Sequence, residues 1–170
     1  DKKVKPSYSE KILFDIKDDE NVNDAKKKLF LAKSYFNGDN NYPVNYTKSA
    51  ELFKSAAIEG NSEAQWRYAL MNINSIGDEY DFKTAKYYLQ KSAENDNIKG
   101  KLYYALFIKE HDIELFKKLI KECCESEDLD SMFYYAMYLE TSESTLKKSV
   151  QYYLKLLYKG YFDALFRLTN

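Results

Sequence analysis

A chain of 170 residues, 45% hydrophobic and 31% charged, is long enough for a packed domain and too apolar to be disordered throughout. Lysine plus arginine (26) nearly cancels aspartate plus glutamate (27), and the net charge of -1 gives no electrostatic footprint for a nucleic-acid backbone. Five glycines and two prolines are too few for the turns of an antiparallel sheet, and no apolar run reaches the ~18 residues of a membrane span, so the expectation is an all-α fold with no membrane insertion.

In chain order, Ser7-Tyr8-Ser9-Glu10 reads as a capping box leading into Ile12, Leu13, Phe14 and Ile16, which predicts a short helix followed by a loop over Asp18 to Asn23. Residues 1–23 are therefore expected to cap the N-terminal end of the fold built by the rest of the chain. From Asp24 onward the chain repeats itself. The blocks Lys27 to Ala32, Ala64 to Ala69, Gly100 to Ala105, Ser131 to Ala136 and Ala164 to Thr169 align without gaps, mostly opening and closing on small residues with large apolar side chains between. This predicts one helix of the unit, helix A.

A second set, Ser49 to Gly60, Ala85 to Asp96, Phe116 to Glu127 and Ser149 to Gly160, aligns as helix B. Within it Leu52-Phe53, Tyr88-Leu89, Leu119-Ile120 and Tyr152-Tyr153 match. So do Ala56-Ala57, Ser92-Ala93, Cys123-Cys124 and Leu156-Leu157 one turn later, which places both pairs on a single core-facing stripe. Capping residues precede the helices: Asn45, Asp81, Asp112 and Thr145 for helix B, and Asp24, Asn61, Asn97 and Asp128 for helix A, with Tyr161 the exception.

The distance from the helix B cap to the end of that helix is constant (45 to 60, 81 to 96, 112 to 127, 145 to 160), and only the A-to-B connection varies in length. The repeats are thus 24–60, 61–96, 97–127 and 128–160, with the start of a fifth at 161–170. A start without methionine and an unfinished fifth repeat lead us to expect a piece of a longer chain.

Two stretches carry a resemblance: Lys48 to Gly60, reading KSAELFKSAAIEG, and Gly60 to Ala69, reading GNSEAQWRYA, are similar to Sel1-like repeats, a branch of the tetratricopeptide superfamily. The resemblance spans about residues 24 to 169. It is strongest in the first two repeats, where Tyr35 and Gly38 match the family's later tyrosine and loop glycine, while Asn72 and Ser75 replace them. It implies an α/α solenoid, a right-handed superhelix of about four antiparallel helix pairs, acting as an adaptor that assembles complexes.

On a helical wheel Ala64, Tyr68, Ala69 and Asn72 face the partner helix and the neighbouring repeat. The opposite side carries Phe30, Arg67, Leu70, Tyr103, Leu106, Tyr134, Met137 and Arg167 at matching places. If helix A lines the inner curve, these form an aromatic, arginine and methionine groove suited to a protein or peptide partner. Leu29, Trp66, Leu102, Phe133 and Phe166, one place earlier, are expected to pack repeat against repeat.

The adjacent pair Cys123-Cys124 cannot close a disulfide within a helix and is expected as buried, inert thiols. This suits a reducing, cytoplasmic compartment, with a periplasmic, secreted or surface location left open. His111 is expected in a loop, without a second histidine to build a metal site or a triad. With no phosphate loop, no metal-ligand cluster and no evident acid/base pair, the expectation is a scaffold needing no cofactor and no metal. The alternatives are a regulatory arm of a larger enzyme and a microbial host-interaction factor.

Overall fold

A computed structural model describes residues 24–169, and among these it shows nine α-helices and no strand. The expected N-terminal cap, residues 1–23 with the Ser7 to Glu10 box, lies outside the described residues. The helices are α1 (Asp24–Asn37), α2 (Tyr46–Ile58), α3 (Ser62–Ile73), α4 (Phe82–Glu94), α5 (Ile98–Ile108), α6 (Ile113–Glu125), α7 (Leu129–Leu139), α8 (Glu143–Tyr158) and α9 (Asp163–Thr169). The described residues divide into two compact units that meet between Gly100 and Lys101.

The helices start where the sequence supplies an acceptor for free backbone N–H groups. In the first unit the side chain of Asn45 accepts from the Lys48 N–H at 2.9 Å and that of Asn61 from Ala64 at 2.9 Å. Asp81 accepts from both Lys83 and Thr84, and Asn97 from Gly100. In the second unit Asp112 and Asp128 accept from the N–H of Leu115 and Ser131.

One expected start is corrected. Helix α8 begins at Glu143 with Ser142 as its cap residue, ahead of Thr145. Thr145 lies inside the first turn, and its hydroxyl shares its proton between the carbonyls of Leu139 and Ser142. A hydroxyl can do either, whereas the Asp and Asn carbonyl oxygens at the other starts can only accept.

The helix B ends share one backbone device. Gly60, Asp96, Glu127 and Gly160 all sit at positive φ (88°, 55°, 57° and 83°), the left-handed turn that closes a helix. Two of these four are not glycine, so the repeat holds the same conformation there at a steric cost. Ser75, which stands where the first repeat has Gly38, likewise keeps the left-handed conformation, with φ 53° against 72°.

The core of the first unit is built from alanines (Ala25, Ala32, Ala50, Ala56, Ala57, Ala64) wedged by Phe53, Tyr68 and Met71. Small residues let the helix backbones approach closely, and the Ser49 hydroxyl bridges α2 to α1 by donating to the Ala32 carbonyl at 2.8 Å. The second unit repeats that bond at the equivalent place, Ser149 donating to the Ala136 carbonyl at 2.9 Å. Close approach peaks at Gly100, where an added Cβ would lie 2.2 Å from the Ser92 hydroxyl oxygen. In the second unit Leu102, Phe116, Ile120, Met132, Tyr153 and Leu156 are fully buried.

The expected packing set is realised unevenly. Leu102 is fully buried and Leu29 packs against the first core. The Phe133 ring meets those of Tyr153 and Tyr161 at 5.9 and 5.4 Å, and Trp66 is half-buried. Phe166 departs from the expectation and is 69% exposed. Helix α9 buries Ala164 against α8.

Candidate protein-binding faces

All eight side chains expected on the open side of helix A are half-buried, neither sealed in the core nor free in solvent. The two units gather them in different ways.

In the first unit Arg67 and Leu70 border an open cavity of about 200 Å³, whose floor and walls are Phe36, Phe53, Trp66, Met71 and Ile76. One helical turn of α3 places Trp66, Arg67 and Leu70 along one rim. The Arg67 guanidinium lies 4.4 Å from the centre of the Trp66 ring, where cation and π-face attract. Its Nε donates to Glu63 at 2.8 Å, and Lys33 reaches the same carboxylate at 3.2 Å. Burial disfavours ionisation of Glu63, but the bonds from Arg67 and Lys33 outweigh it and hold the carboxyl below its usual range. Phe30 does not line this cavity; the aromatic that α1 contributes is Phe36.

The wall behind it is braced by polar ties between α3 and the connection over residues 74–81. Buried Asn72 donates to the Glu79 carbonyl and accepts from the Asp81 N–H at 3.0 Å. The Tyr68 hydroxyl donates to Asp78 at 2.6 Å, and burial together with that carboxylate pushes its pKa well up. In the same connection Gly77 has φ 78°, and a Cβ there would stand 2.3 Å from the Tyr46 carbonyl oxygen. Sequence reasoning missed these ties because they join a helix to a loop of variable length, where no repeat spacing flags them.

In the second unit Leu106, Tyr134, Met137 and Arg167 meet at an open cavity of about 300 Å³, with Phe116, Tyr138 and Glu140 completing its lining. Glu140 is the hub: it pairs with the Arg167 guanidinium and accepts the Tyr153 hydroxyl at 2.6 Å. Burial, reinforced by the neighbouring carboxylate, raises the Tyr153 pKa. Arg167 is thereby held at the edge of the cavity, its Nε buried without a hydrogen-bond partner. Tyr103 is half-buried and does not line the cavity. Glu140 and Tyr153 were not legible as site residues, since neither belongs to the helix A register that points to the groove.

Repeated helix pairs of this kind recur in known proteins. The Sel1 repeat pattern matches residues 29–61 and 62–97. A protective antigen of uropathogenic Escherichia coli with an SLR fold superposes with a TM-score of 0.74 at 26% identity, over 85% of this chain and 32% of that one. The chain carries Sel1 repeats over residues 29–97 and shares the fold of Sel1-like repeat proteins.

A Sel1 repeat protein from Oxalobacter formigenes, at 19% identity, shares the fold with a TM-score of 0.75 over 92% of this chain and 66% of that one. The ERAD-associated E3 ubiquitin-protein ligase component HRD3 of Candida glabrata is 36% identical over 62 residues, which are 36% of this chain and 7% of that protein. The chain thus spans a small fraction of the curated relative it matches. Sel1-like repeat proteins typically serve as scaffolds for protein-protein interaction, generally without catalysis of their own.

Among the described residues no helix is long and apolar enough to cross a membrane. None of their His, Cys, Asp and Glu side chains gather in threes to hold a metal. Cys123 and Cys124 are buried free thiols, and burial pushes the pKa of Cys123 up to about 11, which leaves it protonated and inert at neutral pH. His111 is exposed in the turn before Asp112.

Proposed function

We propose that this chain is a non-catalytic scaffold that holds a protein or peptide segment against the open side of its A helices. Phe30, Arg67 and Leu70 serve in the first unit, and Tyr103, Leu106, Tyr134, Met137 and Arg167 in the second. The observation that carries the reading is the pairing of each cavity with a guanidinium at its rim. Arg67 and Arg167 occupy the same register position in the first and second units, each beside an apolar hollow and each anchored by a glutamate.

Apolar hollows with a few fixed polar groups seat side chains, while the arginine orients the bound backbone or an acidic neighbour. The relative named as a component of a ubiquitin-protein ligase is itself part of a larger assembly, which supports the same reading.

The test is capture of partners on the immobilised protein followed by crosslinking mass spectrometry. Crosslinks should cluster around Arg67 and Arg167. Replacing both Tyr103 and Tyr134 by alanine should weaken capture by about tenfold or more, as loss of an aromatic hot spot does, with little change in thermal unfolding. A matching collapse of the unfolding temperature would assign the two rings to the core. Crosslinks confined to helix B would move the site.

A further inference from the structure

Each unit carries the same pair of tyrosines where an A helix meets the B helix that follows it. Tyr68 on α3 meets Tyr88 on α4 with ring centres 5.2 Å apart and planes at 81°. Tyr135 on α7 stands at the place of Tyr68 and meets Tyr152 on α8 at 5.3 Å and 77°. The preceding B helix sends a lysine to each pair from the same register, Lys54 after the cap Asn45 and Lys121 after the cap Asp112.

What differs is the group that meets the tyrosine hydroxyl. In the first unit the connection over residues 74–81 brings in Asp78, whose carboxylate accepts the Tyr68 hydroxyl at 2.6 Å and lies 3.8 Å from the Lys54 ammonium. The bond from Tyr68, against a penalty from burial, holds the Asp78 carboxyl below its usual range, so this place favours a charged carboxylate. In the second unit the connection over residues 140–142 is too short to supply one. Among the described residues no carboxylate accepts the Tyr135 hydroxyl. An open hollow of about 190 Å³ lies there instead, walled by Lys121, Tyr135, Lys148 and Tyr152.

The charges around this hollow are unbalanced. Glu127 is engaged by Lys155 at 3.4 Å and by Lys159 at 3.0 Å, and Glu125 faces Lys121 at 3.9 Å. Lys148 stands over the Tyr135 ring, 5.6 Å from its centre, and meets no carboxylate among the described residues. The second unit thus keeps the tyrosine and the lysines of a carboxylate site and lacks the carboxylate that the first unit carries within its own chain.

We infer that the hollow between α6, α7 and α8 is a docking site for a carboxylate side chain on an acidic segment of a partner protein, which takes the place that Asp78 fills in the first unit. The Tyr135 hydroxyl donates to the bound oxygen, and the Lys121 and Lys148 ammonium groups flank it. Neighbouring residues of a helix point about 100° apart, so Tyr135 and this hollow lie on a different side of α7 from Tyr134 and the helix A groove.

The experiment is a titration of the 15N-labelled full chain, followed by its amide shifts, with a short peptide alternating glycine and glutamate and with the glutamine counterpart of that peptide. Shifts should centre on Tyr135 and Lys148. The glutamate peptide should bind at least about tenfold more tightly, with an advantage that shrinks as salt is added. Tyr135→Phe should weaken binding by about tenfold, as loss of a hydrogen bond to a charged acceptor does, and should leave the thermal melt unchanged because no internal carboxylate is released. Lys148 is exposed, and Lys148→Glu should remove binding without touching the tyrosine pair.

Equal affinity for the two peptides, or none for either, would overturn the assignment. So would an affinity that survives both substitutions, or shifts centred on Arg67 or Arg167, which would place the peptide in the helix A groove. Inorganic phosphate that moves the amides around Tyr135 where the glutamate peptide does not would overturn it as well.

Discussion

The connection from α3 to α4 in the first unit and that from α7 to α8 in the second join equivalent helices, yet they are built on opposite plans. The first, residues 74–81, is long, turns through left-handed Ser75 and Gly77, and is tied down by Asn72 and Tyr68 reaching out of α3. The second, residues 140–142, is short, and the place of Asn72 is taken by buried Leu139. Tyr135, at the place of Tyr68, turns its ring to Tyr152 at 5.3 Å. The backbone polar groups of residues 74–81 find partners on α3, whereas the short connection has few such groups and the same positions of α7 are used for packing.

The severest challenge to this contrast is Gly77→Ala. The side chain would combine an unfavourable φ with a collision against the Tyr46 backbone, and a loss of about 3 kcal/mol is expected by urea denaturation. Gly60→Ala is the matched control, with similar φ and open space around it, and should cost only about 1 kcal/mol.

Next comes Asn72→Leu, which imposes the second unit's solution on the first unit's long connection. The Glu79 carbonyl and Asp81 N–H would lose their side-chain partner, for an expected loss of about 2 to 3 kcal/mol. An unchanged denaturation midpoint would show that the length of the connection and the polarity of position 72 are unrelated.

Tyr68→Phe is milder, about 1 kcal/mol near neutral pH, because the Asp78 it releases is already partly solvated. Its signature is the pH dependence. The Tyr68 hydroxyl, opposed by burial, holds the Asp78 carboxyl below its usual range. A pKa lowered in the folded state contributes stability that is complete above the unfolded value of about 3.9 and is lost as pH falls through the folded value. Denaturation midpoints of wild type and Tyr68→Phe should therefore converge on acidification below about pH 4.

The smallest effect is Glu127→Gly. Relief of a left-handed glutamate gains about 1 kcal/mol, and loss of two exposed ion pairs to Lys155 and Lys159 returns part of it. A net stabilisation of a few tenths of a kcal/mol is expected in a thermal melt.

The repeat register was legible because it is written in side-chain size. Ala32, Ala69, Ala105 and Ala136 are all fully buried, since only a small residue fits where two helices touch. The ends of helix B at 60, 96, 127 and 160 were found by counting, although only two are glycine, because the backbone repeats even where the residue does not. Thr145 misled because a hydroxyl also donates. Trp66, expected to pack repeat against repeat, is half-buried and also walls the first cavity. The link from Tyr153 through Glu140 to Arg167 joins three helix segments, and no spacing rule connects them.

Cys123 and Cys124 turn the second unit into its own reporter. The Cys123 thiol is sealed and carries no charge at neutral pH, so once Cys124, which lines an open hollow, is replaced by serine, a maleimide reacts only during moments when α6 comes away from its neighbours. The labelling rate then counts those openings directly. The first unit has no cysteine to answer, which lets the breathing of one half be timed while the other stays silent.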